Sequence, residues 1–414
     1  MVATPSSERL HIGIFGRRNA GKSSLINALS GQQTSLVSAI PGTTTDPVSR
    51  PMELRPVGPV VLIDTAGIDD EGDLGALRVK KSLEVLDRTD LAIVVVDSET
   101  EPGMPEERLI DELKARGITA IGAVNKAELN PAGATLQASR LSQRFGIPFV
   151  PTAATSGAAP GVDLLRQVLI AKAPVAQTEV PLVSDLVAPG DVVLLVTPID
   201  LGAPKGRLIL PQVEAIRDLL DGSAMVMVVK ETELRGALDA LKRPPALVVT
   251  DSQVFGKVDK EVPADMPLTS FSILMARFKG DLPELVRGAQ ALDTLQPGDR
   301  VLIAETCTHH AQKDDIGTVK IPRWLRSHVG GELAFEWAHG KELPDDLTPY
   351  KLVIHCGGCM VNRQLMMTRL RKAQAAAVPI VNYGVCIAHM HGILQRAISP
   401  FQEQGVILDE PVAD

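Results

Sequence analysis

Residues 16–23 have the sequence GRRNAGKS, and an apolar stretch, LHIGIF at residues 10–15, comes directly before them. The octapeptide fits the pattern G-x-x-x-x-G-K-[ST], and the segment that follows, SLINAL at residues 24–29, has helical periodicity. Glycines let backbone N–H groups curl around phosphates, and the amino end of a helix adds partial positive charge. This order of strand, loop and helix predicts a nucleotide-phosphate site at the start of an α/β domain.

The phosphate loop supplies the first candidate site residues. We expect Lys22 to bridge the β- and γ-phosphates and Ser23 to bind Mg²⁺. The remaining expected nucleotide contacts from this segment are Gly16, Asn19, Ala20, Gly21 and Ser24.

A second motif, Asp-Thr-Ala-Gly at residues 64–67, follows the apolar run VVLI. Asp64 lies where a carboxylate is needed beside the magnesium ion, and the Gly67 N–H can donate to the γ-phosphate until that phosphate leaves. The next residue is Ile68 rather than the glutamine that usually orients the attacking water. The sequence therefore predicts slow intrinsic hydrolysis.

Base recognition is predicted from a third motif, Asn125-Lys126-Ala127-Glu128, which ends another apolar run. It lies where a guanine-reading Asn-Lys-x-Asp motif belongs, with Glu128 in the place of the aspartate. A carboxylate on a longer stem still accepts hydrogen bonds from guanine, so we expect GTP rather than ATP. Thr152 and Ala153 lie where a backbone contact to the guanine oxygen is expected.

The segment PGTTTD, residues 41–46, lies between the first helix and the next strand. It resembles the Gly-Thr-Thr-Arg-Asp switch of the TrmE–Era class of tRNA-modifying and ribosome-assembly GTPases, with Thr45 in place of the arginine. The resemblance implies that Thr44 binds Mg²⁺ and that Asn19 helps to hold a K⁺ ion. The predicted catalytic set is Lys22, Ser23, Thr44, Asp64 and Gly67.

The chain has 414 residues, of which 22% are charged, and its net charge is −8. This acidic balance argues against non-specific binding to nucleic acid. The first residues lack a secretory pattern, and no apolar run approaches the roughly 18 residues of a membrane helix. We therefore expect a cytoplasmic protein without a membrane or nucleic-acid partner. In that reducing compartment its four cysteines favour metal binding or catalysis over disulfides.

Apolar runs alternate with helical patterns along the chain, which predicts an α/β protein with mainly parallel sheets. A Pro-punctuated stretch at residues 173–181 indicates a linker, and the polar run 257–267 indicates a second boundary. We predict three domains: a phosphate-loop GTPase domain at residues 1–173, then two smaller α/β domains at 182–262 and 266–414.

Cysteines and histidines cluster in two motifs, Cys307-Thr308-His309-His310 and His355-Cys356-Gly357-Gly358-Cys359. Each follows a predicted parallel strand, where open α/β sheets place their ligand crevices. Three thiolates with one histidine suit either a tetrahedral zinc ion or an iron–sulfur cluster, and the spacing favours neither. Cys386 lies in an apolar helical segment and is expected to be a core residue, and His389 and His391 are expected to face solvent.

A TrmE–Era type GTPase domain, a middle α/β domain and the Cys-x-His…His-Cys-x-x-Cys pattern together resemble the FeFe-hydrogenase maturation GTPases, the HydF family. The resemblance implies a scaffold that carries a di-iron precursor on a four-iron four-sulfur cluster bound by Cys307, Cys356 and Cys359. For the fourth cluster ligand His355 is the first candidate, His309 the second and Asp314 the third.

The same resemblance implies a homodimer formed by the middle domain. It also implies two radical-SAM maturation enzymes as partners, and delivery of the precursor to apo FeFe-hydrogenase. The alternative is a zinc-stabilised regulatory GTPase of the tRNA-modification or ribosome-assembly type.

Overall fold

The structure is a computed structural model that describes residues 4–31, 47–69, 72–154, 160–174, 180–198, 208–306, 315–340 and 342–407. The chain divides into two compact units, Met1–Glu179 and Val180–Asp414. Several residues singled out above lie outside the described residues, namely Thr44, Cys307, His309, His310 and Asp314.

Within the described part of the first unit, six strands form one sheet in the order β2-β3-β1-β4-β5-β6. The strands are β1 (Leu10–Gly16), β2 (Val48–Leu54), β3 (Gly58–Asp64), β4 (Leu91–Asp97), β5 (Thr119–Asn125) and β6 (Phe149–Pro151). The helices are α1 (Lys22–Ser30), α2 (Gly72–Leu86), α3 (Met104–Ala115), α4 (Pro131–Phe145) and α5 (Val162–Lys172). All strand pairs are parallel except β2 with β3. Both faces of the sheet are covered by apolar side chains.

The sequence prediction missed β2, which has the sequence VSRPMEL at the edge of the sheet. Only Leu54 of this strand is buried, so its apolar signal is weak. Its pairing partner β3 was predicted because a continuous apolar run is typical of a strand buried on both faces.

The described residues of the second unit contain two four-stranded sheets, with orders β10-β9-β7-β8 and β12-β11-β13-β14. Their strands are β7 (Val192–Val196), β8 (Met225–Val229), β9 (Leu247–Thr250), β10 (Leu268–Ser270), β11 (Arg300–Glu305), β12 (Ala334–His339), β13 (Leu352–His355) and β14 (Ile380–Asn382). Every strand pair in both sheets is parallel. The predicted α/β class with mainly parallel sheets is confirmed.

Helices surround both sheets of the second unit. They are α6 (Leu210–Asp221), α7 (Leu234–Ala240), α8 (Phe255–Glu261), α9 (Phe271–Lys279), α10 (Leu282–Ala289), α11 (Ile321–Val329), α12 (Arg363–Ala375), α13 (Tyr383–Met390) and α14 (Leu394–Ile398). A 3₁₀ turn, Gln290–Thr294, extends α10. One cluster of buried apolar residues contains side chains from both sheets, so the unit has a continuous core.

The polar run 257–267, which indicated a boundary, contains the end of α8 and leads into β10. Because β10 pairs with β9, residues 268–270 belong to the middle sheet and not to the third segment. The division into three domains stays a prediction.

Among the described residues, no helix is both long and apolar enough to cross a membrane.

Candidate functional site

The phosphate loop connects β1 to α1 through a backbone that few side chains tolerate. Asn19 has a φ of 62° and Gly21 a φ of 90°, both in the left-handed region. A Cβ atom at Gly16 would lie 2.2 Å from the Val95 carbonyl oxygen, and one at Gly21 would lie 2.1 Å from the Asn125 side-chain nitrogen. Both glycines are therefore required for the loop to pack against its neighbouring strands.

Lys22 and Ser23 begin α1 and face the end of β3. The Lys22 ammonium group is buried and donates to the carbonyl oxygens of Gly16, at 3.0 Å, and Arg17, at 2.8 Å. The Ser23 hydroxyl donates to Asp64 Oδ2 at 2.6 Å. The structure thus brings together the ammonium, hydroxyl and carboxylate groups that were predicted to act on phosphate and magnesium.

Asp64 is a buried carboxylate, and its burial raises its pKa above the ordinary aspartate value. The Ser23 hydrogen bond and the charges of Lys22 and Arg50 act in the opposite direction. A negative charge held in this place attracts a cation, which fits a carboxylate beside a magnesium ion. The next residue, Thr65, fastens the turn because its hydroxyl donates to the Ile14 carbonyl at 2.7 Å.

Asn125 connects the predicted base-reading strand β5 to the phosphate loop. Its side-chain nitrogen donates to the Ala20 carbonyl at 3.0 Å, and its oxygen accepts from the Ala154 N–H at 3.3 Å and the Thr152 hydroxyl at 3.4 Å. Asn125 is almost completely buried. One amide thus joins three segments that sequence analysis predicted to contact different parts of the nucleotide.

Lys126 follows with a left-handed backbone, φ 62°, and its ammonium group lies 2.6 Å from Asp97 Oδ2. Thr152 and Ala153 are buried directly beyond β6. We call the carboxyl ends of β1, β3 and β5, with residues 16–23, 64–67, 125–128 and 152–153, the phosphate edge. The contacts predicted between the residues of the phosphate edge and the nucleotide or Mg²⁺ all stay predictions.

Sequence analysis missed an ion pair that supports the phosphate loop. The Arg17 guanidinium donates to both carboxylate oxygens of Glu106 at 2.6 and 2.8 Å. Glu106 is buried in the first turn of α3 and also accepts from the Gly103 N–H at 2.9 Å. The pair lies 89 positions apart in sequence, so no local pattern could have revealed it.

The second predicted site lies at the carboxyl ends of β11 and β13. We call this region the cysteine edge, and its described residues are Glu305, Thr306, His355, Cys356 and Cys359. The Cys356 sulfur lies 3.3 Å from the Thr306 amide nitrogen and 3.2 Å from the Thr306 hydroxyl oxygen. Hydrogen-bond donors of this kind stabilise a thiolate. Cys307, the next residue after Thr306, lies outside the described residues.

Cys359 is partly exposed, and its carbonyl oxygen accepts from the buried Lys279 ammonium at 3.0 Å. Between the two cysteines, Gly358 has a φ of 67°, which favours glycine. The loop therefore turns back on itself directly after β13. This arrangement keeps one sulfur beside β11 and leaves the other accessible.

His355 is completely buried, at 0% exposure, and both of its ring nitrogens have partners. Nδ1 lies 2.6 Å from the Cys356 carbonyl oxygen, and Nε2 lies 2.6 Å from Nη1 of Arg369. Because arginine only donates, Nε2 accepts and Nδ1 carries the proton. In this arrangement His355 has no lone pair left for a metal ion, which weighs against its role as first-choice ligand.

A buried polar group at the cysteine edge was not anticipated from the sequence. The Tyr383 hydroxyl donates to Glu305 Oε1 at 2.9 Å, and His339 Nδ1 lies 3.3 Å from Glu305 Oε2. Burial raises the pKa of both Glu305 and Tyr383, and the nearby Cys356 adds to both shifts. A signal was available, since Glu305 lies two residues before Cys307.

Cys386 is completely buried in α13 within the apolar core. Burial raises the pKa of its thiol. The prediction that Cys386 is a core residue is confirmed.

Family models match three parts of the chain. The "Hydrogen maturase F dimerization domain" matches residues 182–280, and the "Hydrogen maturase F tetramerization domain" matches residues 283–400. A third model, "50S ribosome-binding GTPase", matches residues 11–126. The two hydrogen maturase models together cover more than half of the chain.

Curated GTPases match about a third of the chain. The tRNA modification GTPase MnmE of Heliobacterium modesticaldum is 38% identical over 146 residues, which cover 35% of this chain and 30% of MnmE. GTPase Der of Kosmotoga olearia is 35% identical over 127 residues, which cover 30% of this chain and 28% of Der. The chain thus spans about a third of the length of the curated relatives it matches.

Among solved structures, Aquifex aeolicus Era bound to GDP·AlF₄⁻ aligns with a TM-score of 0.36 and 19% identity, covering 53% of this chain and 93% of that one. The matches to GTPase sequences and the geometry of residues 16–23 identify the first unit as a GTPase domain, which works with Mg²⁺. The resemblance inferred from the sequence is confirmed: this chain belongs to the hydrogen maturase F (HydF) family of hydrogenase maturation GTPases.

Proposed function

We propose that this protein is a GTP-hydrolysing scaffold that holds a di-iron precursor on an iron–sulfur cluster and transfers it to apo FeFe-hydrogenase. The observation that carries the proposal is the setting of Cys356, whose sulfur faces an N–H and an O–H of Thr306. Cys359 lies three residues away, and Cys307 directly follows Thr306. Thiolates from two neighbouring loops are the ligands that a four-iron four-sulfur cluster requires.

In the first unit, Lys22 and Ser23 act on the phosphates and Mg²⁺, with Thr44 as the second magnesium ligand. Asn19 holds K⁺ beside the phosphates, which its left-handed backbone in the middle of the loop supports. Hydrolysis is therefore faster in K⁺ than in Na⁺. Asn19→Ala removes this difference, and equal rates of wild-type protein in both salts would refute the potassium site.

A labile fourth ligand suits a carrier, because a fourth cysteine would close the cluster. His355 is engaged by Arg369 and the Cys356 carbonyl, so a better donor comes from the segment 307–314, which contains His309 and Asp314, or from Glu305. Glu305 is a carboxylate whose charge couples to Cys356. Replacing each of these residues and comparing the EPR spectrum of the reduced cluster identifies the ligand.

Both hydrogen maturase models describe association domains, which supports an oligomer. The homodimer forms through β8, an edge strand with the sequence MVMVV in which no residue is fully buried. Met225 is 50% exposed and Val228 41%, and an exposed apolar edge strand pairs readily with another strand. Val228→Lys should lower the solution mass, whereas Leu136→Lys on α4, an exposed leucine in the first unit, should not.

The central experiment compares Cys356→Ser and Cys359→Ser with Cys386→Ala, a change at the buried core cysteine. The first two variants should lose iron, sulfide and hydrogenase activation, while GTP hydrolysis stays near the wild-type rate. Cys386→Ala should keep all three properties.

Two outcomes would reject the carrier. One is activation of apo-hydrogenase by the cysteine variants at the wild-type rate. The other is anaerobically purified protein that is colourless and contains zinc, which would favour the alternative regulatory GTPase with a structural metal ion. The two radical-SAM maturation enzymes are the proposed source of the precursor. Activation that proceeds equally well without them would remove them from the scheme.

A further inference from the structure

Three side chains converge in the second unit, and none of them belongs to the cysteine edge. Asp293 comes from the 3₁₀ turn after α10, His328 from α11 and His389 from α13. One ligand atom from each of them lies within 4.8 Å of the others. Asp293 lies 96 positions from His389 in sequence and 35 positions from His328. No motif spacing therefore predicted that these three residues lie together.

Both imidazoles direct Nε2 at the same carboxylate. His389 Nε2 lies 2.9 Å from Asp293 Oδ1 and 3.0 Å from Oδ2, and His328 Nε2 lies 3.1 Å from Oδ1. In a tetrahedral zinc site with bonds of about 2.1 Å, ligand atoms lie about 3.4 Å apart. The three nitrogen–oxygen distances therefore need to lengthen by only a few tenths of an ångström to admit an ion.

The electrostatic setting also favours a cation. His328 lies in the last turn of α11 and His389 in the last turn of α13. The carboxyl ends of helices carry partial negative charge, which attracts positive ions. The side chains of His328, Asp293 and His389 are 29%, 57% and 19% exposed, so solvent reaches the group and water can complete the coordination.

We propose that Asp293, His328 and His389 form a second metal site that binds a divalent first-row transition ion, with Zn²⁺ as the best match. Two imidazoles and one carboxylate plus water form a recognised zinc ligand set. The site contains no thiol, which separates it chemically from the cysteine edge. An ion there joins the ends of α11 and α13 to the turn after α10.

The test uses purified full-length protein stripped of metal, with Co²⁺ as the probe. Cobalt bound by nitrogen and oxygen alone shows weak visible bands without the strong sulfur-to-cobalt charge transfer that thiolate ligands produce. We expect this spectrum, displaced by Zn²⁺, in Cys356→Ser, which breaks the cysteine set, and the variants that follow are therefore made in the Cys356→Ser background. His328→Ala and His389→Ala should lose it.

His391→Ala is the matched control, since His391 lies two residues from His389 and packs instead against Trp324. It should retain Co²⁺ with unchanged affinity. Asp293→Asn keeps the size of the side chain but loses its charge, and should weaken Co²⁺ binding by about 10- to 100-fold. This variant tests the site even if an alanine variant fails to fold.

Equal Co²⁺ binding by Cys356→Ser with and without Asp293→Asn or His389→Ala would overturn the proposal. The same holds if the nitrogen- and oxygen-bound spectrum is absent from Cys356→Ser at ion concentrations well above those of the protein. The three residues would then be a hydrogen-bonded group only.

Discussion

The phosphate edge and the cysteine edge both lie at the carboxyl ends of parallel strands, yet their motif residues behave differently. At the phosphate edge, Ser23 meets Asp64, and Asn125 meets Ala20, so predicted residues bind each other. At the cysteine edge, the predicted ligand His355 binds Arg369, a residue that no motif included. The motifs of the phosphate edge constrain the backbone, and they therefore predict which residues contact each other. The cysteine–histidine motifs only contain candidate ligands, so they predict where a side chain lies but not which residue it contacts.

The largest effect should come from Lys22→Ala, because the ammonium group has no substitute for charge stabilisation at the phosphates. We expect GTP hydrolysis to fall on the order of 1,000-fold. Lys172→Ala, at an exposed end of α5, should leave it unchanged. Iron content should be equal in both variants, measured beside the steady-state rates. Loss of iron in Lys22→Ala would mean that the two edges depend on each other.

His355→Ala tests whether this histidine is structural. Removing the ring takes a partner from the buried Arg369 and leaves a cavity, so we expect the free energy of unfolding to fall by about 3 kcal/mol. The EPR spectrum of the reduced cluster should keep its g-values. Denaturant unfolding and EPR on the same sample provide both readouts. Altered g-values with unchanged stability would restore His355 as a ligand.

Glu106→Ala tests whether the phosphate edge, like the cysteine edge, depends on a partner residue that no sequence motif includes. The change removes both acceptors of Arg17 and one from Gly103, and should cost about 2 kcal/mol of stability. We also expect a higher KM for GTP, because Arg17 lies in the phosphate loop. Glu107→Ala, which removes a neighbouring surface ion pair with Arg144, should cost less than about 0.5 kcal/mol.

Asp64→Asn exposes the cost of holding a buried charge at the phosphate edge. The folded state raises the Asp64 pKa, so it holds the proton more tightly than the unfolded chain does. The stability of the wild type relative to the variant is therefore highest at low pH and is lost as pH rises through the raised pKa. In nucleotide-free protein with chelator, the variant should be more stable than the wild type at pH 7, with the gap closing towards about pH 4.

The control for this measurement is Asp163→Asn, which changes an exposed carboxylate on α5. Its stability difference from wild type should be small at both pH values. An Asp64→Asn variant that is less stable than wild type at pH 7 would show that the ionised carboxylate is favourable there.

The smallest effect concerns Glu128. Glu128→Asp restores the usual guanine-reading residue, and we expect the preference for GTP over ATP to rise by a few fold, equivalent to roughly 1 kcal/mol or less. Competition of ATP with a fluorescent GTP analogue measures it. Glu101→Asp, at an exposed position, is the control. A fall in the preference would mean that the longer carboxylate suits this site better.

Sequence alone predicted the strands and helices that carry strong apolar periodicity, including all of the central strands of the first unit. It missed β2 because that strand has one buried residue, and it placed 268–270 with the wrong segment because three residues carry too little pattern. Side-chain partners such as Arg17 with Glu106 and Arg369 with His355 depend on tertiary packing. Likewise His389 was expected to face solvent, yet it contacts Asp293 across 96 positions.

The continuous core of the second unit has a consequence for how that unit melts. Leu194 in β7 and Ile303 in β11 belong to one buried cluster although they lie in different sheets. Neither sheet can lose its packing without exposing apolar surface of the other, so the two should unfold together. Calorimetry of residues 180–414 should therefore show a single cooperative transition. We expect a probe at the cysteine edge to record a lower melting temperature in Leu194→Ala. The decrease should be at least as large as that caused by Ile303→Val, because Leu194→Ala leaves a larger cavity in the same core.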